Sequence, residues 1–222
     1  MEYINELTMN NGLKAKIIST NGVHDIDILF ENGTIVRHKD YYRFLLGQIK
    51  CPMKYTLIDN YVKCENPNTG DVFAVDKVDL EKIVKYKFWH IDKTNGYVKT
   101  GSGIYIHRLI TNCPDGLFVD HINGDKRDNR KINLRVCSFS QNSYNRGFSK
   151  NSKTKLKGIT KRGNSYRVKI SKDGKQYSLG SFKDINEAIS VYDKHCILLF
   201  GEFAKPNVTE TRVIPEKLEW IK

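Results

Sequence analysis

One short stretch of this sequence places a carboxylate beside an imidazole and follows them with two amide side chains. Residues 119–125 read Val-Asp-His-Ile-Asn-Gly-Asp, and Asn133 and Asn142 come after them. Hydrolysis of a phosphodiester needs a base that activates water and a divalent cation that neutralises charge on the phosphate. His121 can be the base, while Asp120 and Asn142 offer the hard oxygen ligands that magnesium prefers. The spacing therefore predicts a metal-dependent nuclease site.

The flanking pattern predicts the elements that bring these groups together. A strand, a loop, a second strand and a helix would place the end of the first strand against the start of the helix. Neighbouring residues of a strand project to opposite faces, so Asp120 can hold a metal while His121 faces the incoming water. Asn133, at the end of the loop, can fix the imidazole ring through a hydrogen bond. The predicted elements are a strand over 116–121, a polar loop over 122–132, a strand over 134–137 and a helix from the Ser138 cap to about 144 or 146.

A purely structural interpretation of the same residues has to be weighed. An Asp-His pair in a loop is more often incidental than catalytic, and polar loops of this composition often serve only as turns. Here Asn133, Arg135 and Asn142 follow the pair, in the order that a metal-dependent hydrolase would use. We therefore favour the catalytic interpretation.

These residues resemble the HNH family of homing endonucleases, as found in phages and introns. The resemblance spans roughly 104–146. It rests on His107-Arg108-Leu109, the stretch 119–125, Asp128-Asn129-Arg130, Asn133-Leu134-Arg135 and Gln141-Asn142.

The resemblance implies a ββα-metal fold that nicks or cuts DNA with one divalent metal ion, Mg²⁺ or Mn²⁺. Asn145 and Arg146, on the same predicted helix, could then approach the scissile phosphate. The other implied roles are metal ligand for Asp120 and Asn142, general base for His121, central amide for Asn133 and a supporting role for His107.

The net charge of +12 is concentrated in a short part of the chain. Residues 1–106 contain 14 Lys or Arg and 13 Asp or Glu, whereas residues 146–175 contain 11 Lys or Arg and a single acidic residue. A basic run can be no more than a solvated surface. This one overlaps a pattern of strands, which favours a polyanionic partner.

Residues 155–207 are predicted to form three strands and a helix. Gly163-Asn164 and Asp173-Gly174 are two-residue hairpin turns between the strands. Asp184 with Glu187 fits a capping box, and Gly201 can end the helix. The predicted strands are 158–162, 166–170 and 176–179, with Tyr166, Val168, Ile170, Tyr177 and Leu179 facing the helix and Arg167, Lys169, Ser171, Gln176 and Ser178 facing away.

This second region resembles the AP2/ERF DNA-binding domain, whose sheet binds double-stranded DNA. The resemblance rests on Lys157-Gly158-Ile159, Leu179-Gly180-Ser181-Phe182, Glu187-Ala188, Tyr192-Asp193 and Phe200-Gly201-Glu202-Phe203-Ala204. Thr160, Gln176 and Ser178 depart from the residues common in plant members, so no base preference is carried over. The expected DNA-binding residues are Arg146, Lys161, Arg162, Arg167, Lys169, Lys175, Gln176 and Ser178, with Lys161 and Lys175 on phosphates.

The rest of the chain is expected to be β-rich and to serve as an accessory region. Alternating apolar residues and Asn-Gly turns predict short strands over 12–50, and a short helix is expected over 78–88. The fold class predicted for the whole chain is α+β. The predicted domains are an accessory module over 1–53, a nuclease domain over 54–150, an AP2-like domain over 151–207 and a C-terminal tail over 208–222.

The composition excludes several classes of protein. The five cysteines are scattered and never form a Cys-x-x-Cys pair, which argues against a disulfide framework or a cysteine-rich zinc site. No apolar run approaches the roughly 18 residues of a membrane span. We expect a cytoplasmic monomer, in a bacterial or infected host cell, without an obligate protein partner.

The sequence therefore predicts a site-specific DNA endonuclease that works with one divalent metal ion and is targeted by the AP2-like sheet. A DNA-binding regulator that keeps the nuclease fold without its activity is the main alternative. An RNA-binding or RNA-processing protein is a second one, ranked lower because the sequence shows no evident surface aromatic cluster for base stacking.

Overall fold

A computed structural model describes residues 4–149 and 151–208. The predicted tail is outside these residues except for Val208, and the predicted domain boundaries at 53, 150 and 207 stay predictions. The mixed, strand-rich architecture with few helices agrees with the α+β class. Two compact units make up the described chain, one of residues 4–110 with 126–130 and the other of residues 111–125 with 131–208.

The first unit begins with a four-stranded antiparallel sheet whose strands are neighbours in chain order. Ile26, Ile28 and Phe30 alternate inward on its third strand and are almost fully buried. Asp40 caps the helix that follows, because its carboxylate accepts a hydrogen bond from the Arg43 amide. The elements are β1 (Glu6–Thr8), β2 (Lys14–Thr20), β3 (Ile26–Phe30), β4 (Ile35–Lys39) and α1 (Tyr41–Leu45).

A second antiparallel sheet continues this unit. Trp89 is a core residue, fully buried, and it donates its indole N–H to the Ile83 carbonyl. The helix expected over 78–88 is shorter than predicted and is preceded by a 3₁₀ turn. The elements are β5 (Lys54–Ile58), β6 (Tyr61–Asn66), β7 (Asp71–Asp76), α2 (Leu80–Val84), β8 (Trp89–Ile91), β9 (Val98–Thr100) and α3 (Ile106–Thr111).

The second unit opens with the predicted hairpin and helix. The polar loop between the two hairpin strands differs from the prediction. It contains a two-residue strand that belongs to the first unit and pairs there in parallel with β7, and it ends in a 3₁₀ turn over Lys131–Asn133. The elements are β10 (Phe118–His121), β11 (Asp128–Asn129), β12 (Leu134–Cys137) and α4 (Phe139–Tyr144).

The three strands and the helix predicted downstream are confirmed as elements. Asp173 and Gly174 both have positive φ, as a type I′ hairpin turn requires. The helix buries Ala188, Tyr192 and Cys196 against the sheet. The elements are β13 (Ile159–Arg162), β14 (Ser165–Lys172), β15 (Lys175–Phe182) and α5 (Ile185–Phe200).

One inward-facing residue of this sheet does not behave as predicted. Tyr177 pairs with Ile170 and so shares the face that carries the helix, but it is 46% exposed and lies outside the buried cluster. It is close to the turn end of the β14–β15 hairpin, while Val168 and Ile170 are buried as expected. The two-residue alternation along a strand determines which face of the sheet a side chain lies on. Whether that side chain is buried depends on what packs over that part of the face.

Within the described residues, no helix is long and apolar enough to cross a bilayer.

Candidate active site

The β10–β12 hairpin carries the central residues of the candidate site. Its register pairs Asp120 with Arg135 and His121 with Leu134. Asp120 is 6% exposed and His121 is 3% exposed. Ionised side chains are rarely buried unless they are paired, so a buried carboxylate needs hydrogen-bond partners within the protein.

The Asp120 carboxylate has two kinds of hydrogen-bond partner. Its Oδ2 accepts from Arg135 Nε at 2.9 Å and from Arg135 Nη2 at 2.6 Å. Its Oδ1 accepts from Asn145 Nδ2 at 2.9 Å. A guanidinium that meets a carboxylate through two N–H groups gives one of the stronger charge-assisted contacts in proteins. The side chain is therefore held in one orientation.

The helix α4 begins at a complete capping box. The Ser138 hydroxyl accepts from the Gln141 amide at 3.2 Å, and Gln141 Oε1 accepts from the Ser138 amide at 2.8 Å. This cap fixes where the helix starts, and it thereby sets the positions of Asn142 and Asn145, which are three residues apart and share one side of the helix.

Asn145 lies in the centre of the site. It is buried, and its Nδ2 donates to the Asp120 carboxylate and to the His121 carbonyl oxygen at 3.2 Å. From the sequence it was expected only to approach the scissile phosphate, whereas in the structure it joins α4 to β10. The signal that could have identified this position is its spacing of three residues from Asn142.

The side chain of Asn142, unlike that of Asn145, is available to bind a ligand. It is half-buried, and within the described residues its side-chain amide makes no hydrogen bond. Its predicted role as a metal ligand stays a prediction. The Asp120 carboxylate and an unbonded amide oxygen are donors that fit Mg²⁺ or Mn²⁺. Burial raises the pKa of the neighbouring Cys137 to about 11, so its thiol is protonated at neutral pH.

Asn133 is fully buried and orders the loop that follows His121. Its Oδ1 accepts from the Asn123 amide at 2.8 Å, and its carbonyl oxygen accepts from the Ile122 amide at 2.9 Å. The loop turns back at Gly124, which has a φ of 78° and donates to the His121 carbonyl at 2.8 Å. The predicted bond from Asn133 to the imidazole stays a prediction.

His107 belongs to the first unit. In α3 its imidazole is buried and packs against two tyrosine rings, with centroid distances of 4.8 Å to Tyr97 and 5.5 Å to Tyr105. A supporting role for His107 stays a prediction.

The sheet of β13, β14 and β15 presents one face without the helix. Thr160 pairs with Arg167, Lys169 with Ser178, and Ser171 with Gln176, so these residues share that face with Arg162. Lys169 Nζ donates to Gln176 Oε1 at 2.7 Å. By the same register Lys161 lies on the other side, where it is still exposed, and Lys175 lies at the turn end.

A groove with a volume of about 860 Å³ lies between α4 and this sheet. Its lining includes Phe139 and Ser143 from the helix and Lys161, Arg162 and Lys169 from the sheet. The Tyr144 hydroxyl donates to Asp173 at 2.8 Å and thereby ties α4 to the β14–β15 turn. The basic wall of the groove and the end of α4 are thus parts of one compact unit.

An exposed aromatic pair that was not predicted from the sequence borders the same helix. Phe118 is 40% exposed and Phe139 is 61% exposed, and their ring centroids are 5.7 Å apart. The Arg146 guanidinium lies 5.8 Å from the centroid of the Phe139 ring. The sequence-based reason for ranking RNA lower, the lack of a surface aromatic cluster, is therefore wrong.

Two carboxylates and an imidazole also meet in the first unit. Ligand atoms of Asp25, Asp27 and His38 lie within 4.8 Å of one another. Asp27 already accepts from Arg37 at 2.5 Å and from the His38 amide, and the hydrogen bond from His38 lowers the pKa of Asp25. The internal pairing accounts for this partly exposed cluster.

Comparison with known proteins gives matches to one family model and to viral proteins. A family model described as HNH endonuclease matches residues 105–144. An uncharacterized HNH endonuclease of Acanthamoeba polyphaga mimivirus, L560, is 30% identical over 174 residues, which cover 66% of this chain and 90% of that protein. Protein 3.8 of Escherichia phage T7 is 30% identical over 94 residues, 41% of this chain and 77% of that protein. No solved structure matches.

Proposed function

Because this chain belongs to the HNH endonuclease family, we propose that it is a site-specific DNA endonuclease whose reaction centre is the β10–β12 hairpin and α4. The observation that carries the proposal is the contact of Asn145 of α4 with Asp120 and with the carbonyl oxygen of the adjacent His121, in one compact unit with a basic sheet face. A reaction centre and a surface for its polyanionic substrate thus occur together.

In the proposed mechanism, His121 accepts the proton of a water molecule as that water attacks the phosphorus atom. Asp120 and Asn142 would hold one divalent cation, Mg²⁺ or Mn²⁺. When bound, that cation supplies charge neutralisation at the phosphate and at the leaving 3′ oxygen. Asn145 and Arg135 keep the Asp120 carboxylate in place through their hydrogen bonds. The P–O3′ bond breaks, and the leaving 3′ oxygen takes up a proton from solvent. The products are a 5′ phosphate and a 3′ hydroxyl.

The open face of the sheet would anchor the enzyme beside the cleavage site, in the manner of an AP2-type domain. Arg162, Arg167, Lys169, Gln176 and Ser178 would contact DNA there. A small sheet can enter the major groove, which is about 12 Å wide. In support, these side chains share one side of the sheet by register, and the arginines are exposed. Targeting of the homing type is part of this proposal.

The experiment is a cleavage assay on supercoiled plasmid with Mg²⁺ or Mn²⁺, followed by sequencing of the ends cut from a randomised library. We expect metal-dependent cleavage at a defined site, and loss of cleavage in His121→Ala. The matched control is Lys16→Ala, an exposed strand residue of the first unit. Equal cleavage by His121→Ala and the wild type would overturn the proposed role of the imidazole.

A non-catalytic DNA-binding regulator is a second candidate, favoured by one specific observation. Both oxygens of Asp120 already accept hydrogen bonds from protein side chains, and the carboxylate is buried. A regulator would bind duplex DNA without cutting it under any metal condition. Competition between duplex DNA and single-stranded RNA at one stated salt concentration separates both candidates from an RNA-binding protein.

A further inference from the structure

The exposed pair of Phe118 and Phe139 marks a surface that the hydrolytic mechanism does not use. Phe118 is on β10, two residues before Asp120, so both project to the same face of the hairpin. Phe139 is the first residue of α4, three residues before Asn142. The two rings meet edge to face at an interplanar angle of 61°. The patch therefore lies directly beside the proposed metal ligands.

The charge around the patch favours a nucleic acid as its occupant. Arg146 lies over the Phe139 ring, and Phe139 also lines the groove whose opposite wall carries Lys161, Arg162 and Lys169. An aromatic ring next to cations suits a base and the phosphates that flank it, because the ring stacks on the base while the cations bind the backbone.

The size of the patch argues against a protein partner. A phenylalanine side chain buries on the order of 150–250 Å² when it is fully covered. Two partly exposed rings therefore offer much less than the roughly 800 Å² that each partner contributes to a stable protein interface. A single base is a better match in area.

We propose that Phe139, supported by Phe118, stacks on a base next to the scissile phosphate of duplex DNA and displaces that base from its normal stack, while Arg146 binds the adjacent phosphate. This inference rests on the proposed endonuclease function. Phe139 would then help to select the base-pair step that is cut and would distort it, because base-pair steps differ in the free energy that unstacking costs.

The test uses the full-length protein and a duplex that contains the identified cleavage site. The fluorescent base 2-aminopurine replaces single bases on either side of the scissile phosphate, and EDTA prevents cleavage. We expect the wild type to raise the fluorescence severalfold at one position. Phe139→Ala should abolish this rise and weaken binding on the order of tenfold, since stacking of a base on an aromatic ring is of that size. Phe139→Trp should retain both.

The matched control is Leu198→Ala, which removes a strongly exposed apolar side chain from α5. It should match the wild type in fluorescence and affinity. Three results would overturn the proposal: a Phe139→Ala variant that behaves as the wild type, an equal loss in Leu198→Ala, or a wild-type dimer in solution that Phe139→Ala converts to a monomer.

The two proposals fail in different ways. If the wild type cuts plasmid but no 2-aminopurine position responds, the stacking role is wrong and the endonuclease function stands. If the wild type neither cuts nor binds duplex DNA, both are wrong.

Discussion

Arg135 connects the Asp120 carboxylate to the segment that follows the C-terminal helix. Its guanidinium binds Asp120 across the paired positions of β10 and β12, donates through Nη1 to the Glu202 carbonyl oxygen, and lies 4.1 Å from the Phe203 ring centroid. Glu202 and Phe203 belong to the motif Phe200–Ala204 that the sequence analysis associated with the sheet module. One largely covered cation thus joins the candidate reaction centre to that module.

We expect Arg135→Ala to lower the free energy of unfolding by about 3–5 kcal/mol, because the substitution leaves the buried Asp120 charge without its partner. Urea denaturation followed by circular dichroism measures the change. The control is Arg37→Ala, which breaks a pair with Asp27 in which the arginine side chain is 62% exposed, and which should cost about 0–1 kcal/mol. Similar small losses in both variants would contradict the assigned importance of the buried pair.

The two α4 asparagines should respond differently to substitution. Asn145→Ala removes hydrogen bonds to Asp120 and to the His121 carbonyl, so we expect a loss of stability of about 1–3 kcal/mol. Asn142→Ala removes an unbonded amide, so stability should stay unchanged while cleavage needs a higher metal concentration. Metal titrations of the cleavage rate and denaturation curves measure the two effects. An unshifted metal titration for Asn142→Ala would remove it from the ligand set.

The open face of the sheet should contribute to the salt dependence of DNA binding. Each phosphate that a protein cation neutralises adds about 0.9 to the slope of log K against log salt concentration. If Arg167 binds a phosphate, Arg167→Ala should therefore lower the slope by that amount. If Arg167 instead hydrogen-bonds to a base, the substitution should leave the slope unchanged and reduce the preference for the target sequence. Fluorescence anisotropy at several salt concentrations measures this slope, with Lys16→Ala as the control. No effect on either quantity would exclude Arg167 from the interface.

Gly158 should be irreplaceable for packing. It has a φ of 72°, and an added Cβ would lie 2.1 Å from the Tyr192 ring and 2.4 Å from the Lys169 carbonyl oxygen. Gly163 also has a positive φ but has open space around it. Gly163→Ala should cost roughly 1–2 kcal/mol for the backbone conformation alone, and Gly158→Ala roughly 1–3 kcal/mol more. Equal denaturation midpoints would show that the Tyr192 contact is not tight.

Low pH should lower the stability of the first unit, because the carboxylate of Asp92 becomes protonated. Lys99 Nζ bonds its carboxylate at 2.7 Å and Thr94 donates two further bonds, which hold the pKa of Asp92 well below its ordinary value. Because the pKa of Asp92 is lower in the folded than in the unfolded protein, the ionised carboxylate stabilises the fold at any pH above the ordinary pKa near 3.8. This stabilisation is lost as the pH falls through the pKa of the folded state. Asp92→Asn should therefore melt below the wild type near neutral pH, and the difference should shrink in acid. A difference that is constant with pH would contradict this linkage.

Local sequence patterns predicted most of the second unit. The Ser138 cap and the Asp173-Gly174 turn are each encoded by residues within a few positions, and the structure has the expected elements there. The period of two on β14 correctly placed Val168 and Ile170 inside. The exposure of Tyr177 was not predicted, because the sequence of a strand does not show how much of its face a helix will cover.

The sequence by itself determined the adjacent carboxylate and imidazole, the turns and caps around them and the concentration of positive charge. Only the tertiary structure decided that Asn145 holds Asp120 from 25 residues away, and that Arg135 reaches a carbonyl oxygen 67 residues further along. The physical reason is the difference in sequence separation between local and tertiary interactions. Turns and caps depend on the conformational preferences of neighbouring residues, whereas the partner of a buried charge depends on which distant segments packing brings to it.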